Sequence, residues 1–399
     1  MNRFNLKNGL EVLELKRKSD IVSIQITVNT GSNNEISKIN GISHFLEHMV
    51  FEGTKKKTSS EIANSIESLG GELGAYTSNE NTCFYVKILK KHFDIALDIL
   101  SDILLNPLFD SKLIEKERKI IISEIKMVTD QPRHYQWVLF CKALFDKFPA
   151  KNPIYGTVKA VNSLSKQDLI NYHKKYYTAP NSVISVVGDI PNLNVKISKY
   201  FAKMSSKKVE TSFKEEKLNR YSKKVEKRKI NQSYVMLGYK TPKRKEYDSY
   251  VLDVIQSILG RGLSGKLFRE IRIKLGLAYD VGVHHDPSIH YGVFAAYFST
   301  HKKNISKCIS ITLNEFKKLK KITSLELSEA KQYLEGEFVL DKEDSHNFAR
   351  SVAEWELSSS AEDCLNYIAK IKKVTKKDII RVVDTYLNDK YSIAVLEQS

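Results

Sequence analysis

The chain has 399 residues, enough for two domains with full cores, with 42% hydrophobic residues and a net charge of +17 from 64 Lys and Arg against 47 Asp and Glu. The basic residues are scattered along the chain, often beside Glu or Asp, which speaks against a dedicated nucleic-acid surface. Four isolated cysteines (Cys83, Cys141, Cys308, Cys364) exclude a disulfide scaffold and a cysteine metal site and suit a reducing compartment. No apolar run is long enough for a membrane span, and Met1 is followed by no apolar segment that would read as a secretory signal. The expected address is therefore cytoplasmic.

Asn8-Gly9 predicts a hairpin between two short strands. Val22, Ile24, Ile26 and Val28 alternate as a half-buried strand should. Gly41 to Gly53 then carries His44, Glu47 and His48 in the pattern H-x-x-E-H. On an α-helix these positions share one face, so two imidazoles can grip one metal ion with a carboxylate beside them. Ile42, Phe45, Leu46, Met49 and Val50 take the other sides and can bury the helix. This is the inverted zincin motif. Two histidines and one carboxylate ligand leave zinc a coordination position for water, and a carboxylate that is not a ligand can take that water's proton. Zinc rather than another divalent ion is read from ligand type alone.

Thr58-Ser59-Ser60-Glu61 is a capping box opening a helix that ends at Gly70-Gly71. Residues 72–78 and 82–89 read as a strand pair, and 93–105 as an amphipathic helix stopped near Pro107. A long helix over 111–129 offers the third metal ligand. Glu117 and Glu124 share a face there but stand about 10.5 Å apart along the axis, so one is the ligand and the other a neighbour. Spacing alone does not choose between them. Helices near 134–147 and 165–177 and a strand from Val183 to Val187 close the first half.

Residues 206–229, dense in Lys, Glu and Ser, read as a linker, with a charged edge strand or surface helix as the alternative. The plan then repeats: a strand over 232–239, helices over 248–259 and on to Lys274, strands near 278–284 and 291–299, and long helices over 303–342. Ser165 to Ile170, with Tyr176 and the strand from Val183, finds its counterpart at one fixed offset in Thr375 to Ile380, with Tyr386 and the strand from Ile393. Such self-similarity marks a duplicated architecture. The second half has no H-x-x-E-H, so one half alone should hold metal. His284, His285 and His290, with Asp286 between them, read as a loop without the fixed spacing of a second metal site.

His44-Phe45-Leu46-Glu47-His48 followed by Ser123-Glu124-Ile125 resembles the insulinase or pitrilysin family of zinc peptidases, in its bacterial branch similar to the mitochondrial processing peptidase beta subunit. The likeness extends to Asn29-Thr30-Gly31-Ser32, Phe51-Glu52-Gly53-Thr54, Ala75-Tyr76-Thr77-Ser78 and Pro153 to Thr157, and in the second half to Leu263 to Arg272 and Leu275 to Tyr279. The resemblance implies an α+β fold of two homologous halves, each an antiparallel sheet backed by helices. It gives a zinc-binding catalytic domain at 1–205 and a homologous domain without zinc at 230–399. It implies one zinc per chain on His44, His48 and Glu124, with Glu47 as general base and Glu117 as a helper close by. Arg272 and Tyr279 would come from the second half to hold the substrate backbone and steady the oxyanion. Ala75, Tyr76 and Thr77 would pair with an extended substrate by strand addition. Position 74 is Gly where relatives commonly have Asn, a departure bearing on cleavage preference.

The function so implied is a zinc endopeptidase cutting extended or unfolded peptides in an enclosed chamber, as a homodimer or with a homologous partner subunit. The alternative is a non-catalytic structural or peptide-binding subunit. Such relatives usually lose part of the motif, which is complete here.

Overall fold

The computed structural model describes every residue except 212, 214, 215, 217 and 218. The chain forms two compact units. The first gathers Met1–Lys126, Asn152–Ser212 and Leu340–Cys364; the second gathers Met127–Lys151, Phe213–Val339 and Leu365–Ser399.

The first unit is built on six strands, β1 (Asn2–Asn5), β2 (Glu11–Leu15), β3 (Ile21–Val28), β4 (Glu72–Thr77), β5 (Thr82–Leu89) and β6 (Ser182–Val187), in the sheet order β1-β2-β6-β3-β5-β4. The expected antiparallel sheet is a mixed one, because β2 and β6 run parallel while the other neighbours are antiparallel. A parallel pair needs a long crossover, and everything between Leu15 and Ser182 supplies it.

The helices α1 (Ile42–Phe51), α2 (Ser59–Glu67), α3 (Phe93–Leu105) and α4 (Ser111–Asp130) follow the expected order. α5 is Pro132–Leu144, α6 Val158–Ser163, α7 Lys166–Tyr176 and α8 Leu193–Phe201. The apolar face of β3 (Val22, Ile24, Ile26) joins Phe45, Leu46, Leu97 and Ile121 in the core of this unit. Alternation along β3 predicts that the other face meets water, but Ser23, Gln25 and Thr27 are fully buried. The helix Ser345–Ser358 covers them. Ser23 Oγ lies 2.7 Å from Ser345 Oγ, Gln25 donates to the His346 carbonyl at 2.7 Å, and Ser185 donates to the Ala349 carbonyl at 2.9 Å. The polar face is thus dry, with Ser23, Gln25 and Ser185 hydrogen-bonded to the covering helix rather than to solvent, which period-two alternation cannot distinguish.

The second unit has β7 (Ser222–Arg228), β8 (Ser233–Thr241), β9 (Ala278–Pro287), β10 (Gly292–Thr300) and β11 (Ser392–Gln398), ordered β7-β11-β8-β10-β9, again with one parallel pair, β7 with β11. Matching β2, β6, β3, β5 and β4 to β7, β11, β8, β10 and β9 reproduces the first sheet's order strand for strand. The equivalent helices α7 and Lys376–Tyr386 both open with a capping box, Ser165 with Asp168 and Thr375 with Asp378. α5 covers one face of this sheet, where Leu139, Phe140 and Leu144 pack with Met236, Val293, Ala295 and Ala394. Within the charged stretch 206–229 the residues of β7 form an edge strand, its exposed lysines suited to an edge that must not pair further. Positions 212, 214, 215, 217 and 218 of that stretch lie outside the described residues.

Candidate metal centre

α1 buries Ile42, Phe45, Leu46, Met49 and Val50 and leaves His44, Glu47 and His48 on the remaining face. Its N-terminus has no side-chain cap of its own, because the N-cap residue is Gly41, in the left-handed region at φ 96°. The buried carboxylate of Glu35 does that work from outside the helix. It accepts from the backbone N–H of Gly41 at 2.7 Å and of Ser43 at 2.8 Å, and from the Asn40 amide at 2.9 Å. An anion at a helix N-terminus meets both the unsatisfied donors and the positive end of the dipole. Burial pushes the Glu35 carboxyl up to about 7 against the pull of those donors. Nothing in the sequence flags Glu35 except an acidic residue in a loop before a helix.

Glu124 of α4 comes to α1's polar face. Its Oε2 lies 3.8 Å from His44 Nε2 and 3.5 Å from His48 Nε2, and one donor atom from each residue falls within 4.8 Å of the others. Glu117, two turns earlier and buried, sits instead behind His48, with Oε2 3.0 Å from Nδ1. A carboxylate can only accept, so Nδ1 carries the proton and Nε2 turns its lone pair towards Glu124. Lys116 is 3.4 Å from the other Glu117 oxygen and 2.9 Å from Glu52. A carboxylate behind a ligating imidazole fixes its tautomer and raises its basicity. The His44 ring stands edge-on to His48 at 4.7 Å, and burial, then the neighbouring His48, push its pKa down to about 3. The His44 ring is therefore in the neutral form that a metal requires. Two imidazole nitrogens and a carboxylate oxygen fit a zinc ion with a coordination position left over.

Glu47 receives a hydrogen bond from Thr77 Oγ1 at 2.5 Å. Burial raises its pKa, and the nearby Glu124 adds to the rise, while Thr77 and His48 oppose it. Thr77 ends β4, so the strand carrying Ala75 and Tyr76 is anchored to the carboxylate beside the metal ligands. Among the described residues β4 pairs with β5 alone, leaving its outer edge without a strand partner. The Tyr76 hydroxyl donates to Glu354 at 2.9 Å, a partner from the helix Ser345–Ser358 that no sequence signal linked to this strand.

Arg272 and Tyr279 belong to the second unit. Arg272 lies on a π-helical turn, Arg269–Lys274, its guanidinium 4.8 Å from the Phe268 ring centre and 4.3 Å from that of Tyr279, and Tyr279 is 68% exposed. The expected histidine loop is largely strand: His284 and His285 lie in β9 and face opposite ways. His284 meets the Trp137 ring at 5.2 Å, His285 Nδ1 bonds to Asp253 at 2.7 Å, and His290 meets Phe213 at 4.3 Å. Three separate environments make no metal site. Among the described residues, only His44, His48 and Glu124 converge in the manner of a ligand set.

The sequence matches the family described as Insulinase (Peptidase family M16) over residues 11–158, and Peptidase M16 inactive domain over residues 163–334. It is 35% identical over 357 residues to an uncharacterized zinc protease of Bacillus subtilis (strain 168), covering 87% of this chain and 86% of that protein. It is 32% identical over 379 residues to an uncharacterized zinc protease of Rickettsia felis, covering 93% and 92%. Among solved structures, a protease from Helicobacter pylori shares the fold with a TM-score of 0.93 at 23% identity, over 99% of both chains. A Pseudomonas fluorescens structure described as a peptidase M16 inactive domain does so with a TM-score of 0.92 at 18% identity, over 100% of this chain and 98% of that one.

Proposed function

Because the chain belongs to the insulinase family of peptidases, family M16, we propose that it is a zinc-dependent endopeptidase hydrolysing extended or unfolded peptides, with one zinc per chain. The observation that carries this reading is the convergence of His44, His48 and Glu124 beside Glu47 on the same short helix. Zinc, when bound there, polarises the scissile carbonyl and makes the attacking water more acidic.

The chain's own residues supply the rest. Glu47 takes the proton from the attacking water and passes it to the leaving amine. Its raised pKa makes it a stronger base than an exposed carboxylate, and the Thr77 hydroxyl holds one of its oxygens in place. Glu117 keeps the His48 ring turned. The open edge of β4 offers backbone donors and acceptors to an extended peptide, which suits broad sequence tolerance. Tyr279, as oxyanion donor, and Arg272, as a hold on the substrate backbone, are assigned by the family resemblance.

The test is zinc content and cleavage of unstructured peptides, with and without chelator, for the wild type and Glu47→Gln. The wild type is expected to hold zinc and cut, and chelator to stop the cutting. Glu47→Gln should keep the zinc and lose about 10²–10⁴-fold in kcat. Undiminished cleavage by that variant sinks the mechanism, and zinc without cleavage by the wild type points to the non-catalytic alternative.

A further inference from the structure

Gly74 stands opposite Tyr85 in the register of β4 and β5. The space that a Cβ would fill at position 74 is already occupied. The Tyr85 hydroxyl would lie 2.6 Å from such an atom and the ring carbon Cζ 2.7 Å. Tyr85 therefore lays its ring across the neighbouring strand and carries its hydroxyl to the open edge of the sheet. The ring is backed by His346, centroid to centroid 4.1 Å. Tyr85 is partly buried, and its hydroxyl makes no hydrogen bond to another described residue. Burial, with the charges of Glu72 and Cys83, raises its pKa, so it stays a neutral phenol able to donate.

A peptide added to the open edge of β4 sends alternate side chains to the face on which Tyr85 lies. The peptide residue paired with Gly74 would place its Cβ about 5 Å from position 74. With no side chain at 74, the Tyr85 hydroxyl takes up the space beside that substrate side chain, with Glu72 and Tyr76 two residues to either side on the same face. Gly74 is three residues from Thr77, the residue that holds Glu47, so the contact falls about 10 Å along the strand from the reacting centre.

We propose that Tyr85, lying over Gly74, is a specificity-determining residue that selects a hydrogen-bonding side chain over an aliphatic one at a single substrate position about three residues from the cut. The inference rests on the peptidase reading and on strand addition at β4. Polar side chains that both accept and donate, such as carboxamides and hydroxyls, can accept from the phenol and donate to Glu72. An aliphatic side chain there leaves the hydroxyl without a partner once the peptide excludes water.

The experiment uses zinc-loaded wild type, Tyr85→Phe and Gly74→Ala with an extended peptide varied one position at a time, cut sites being read by mass spectrometry and kcat/KM measured for each peptide. Tyr85→Phe keeps the ring over Gly74 and removes only the hydroxyl. It is expected to lose about five-fold in kcat/KM for peptides polar at the one position, with aliphatic peptides unchanged. Gly74→Ala, which displaces the ring, is expected to alter preference at that same position. Equal loss for every peptide in Tyr85→Phe, or no loss for any, overturns the proposal and leaves the peptidase reading standing. A wild type that cuts no peptide removes the peptidase reading itself, and this inference with it.

Discussion

Glu117 and Glu124 share one face of α4 but do different work. Glu124 meets both imidazole Nε2 atoms, while Glu117 holds His48 from behind. Their spacing shows only that both cannot reach one ion, and the distances assign each to its place. His44, Glu47 and His48 were legible in the sequence because helix geometry alone brings them together. Glu35, Glu354 and His346 were not, since each meets its partner through a loop or a distant helix, and local periodicity carries no information about either.

Glu35 has a consequence for pH. Its carboxyl is raised from an ordinary value of 4.5 to about 7, so the folded protein binds its proton more tightly than the unfolded chain does. The stability this gives is complete below about 4.5 and is lost as pH rises through about 7, in all about 3 kcal/mol. The groups facing it are Asn40, Ser43 and Tyr172, none of which carries charge in that window. In urea denaturation of the metal-free protein, the advantage of wild type over Glu35→Gln should therefore shrink from pH 5 to pH 8. An advantage that grows with pH would mean that Glu35 is an ordinary ionised cap.

At the scale of elements, the sequence located most helices and strands to within a few residues, because capping boxes, glycine stops and alternation are local signals. What it misjudged was the surroundings. β3 alternates like a strand with one wet face, yet that face is dry, covered by Ser345–Ser358 through small residues. His284 and His285 sit in a run without strong strand character and are nonetheless strand, because β10 pairs with them. The close fit of Ser345–Ser358 makes its small residues sensitive to size. Ala349 is fully buried with its carbonyl bonded to Ser185, so Ala349→Leu overpacks the contact. The expected cost is about 1–3 kcal/mol in chemical denaturation, with no change in zinc content. A neutral result would show that the helix can lift from the sheet without penalty.

At the scale of the whole molecule, the duplication was legible and its wiring was not. Two similar segments at one offset, Ser165 to Ile170 and Thr375 to Ile380 with the tyrosine and strand after each, announced two halves, and the two sheets share one strand order. Yet α5, from the first half of the sequence, completes the second unit, and Ser345–Ser358, from the second half, completes the first. A repeat period tells where each half begins but not against which sheet a helix packs. Chains cut between residues 205 and 230 should therefore misbehave when produced separately, each exposing the sheet face its missing helix would cover and binding a hydrophobic dye. Co-expression should restore a single cooperative transition. Two fragments that each fold cooperatively alone would contradict this account of the units.

The same exchange sets a schedule for synthesis. A ribosome making this chain delivers His44, His48 and Glu124 long before it reaches the helix Ser345–Ser358. That helix roofs their sheet, so the candidate ligands exist as a chain segment before the unit around them can close. Until Ser345–Ser358 emerges, the nascent chain carries an unroofed sheet with the candidate metal ligands already made. Glu354 and His346, which brace β4 and Tyr85, arrive only with that helix, so the strand edge beside the candidate ligands gains its supports after the ligands themselves are made.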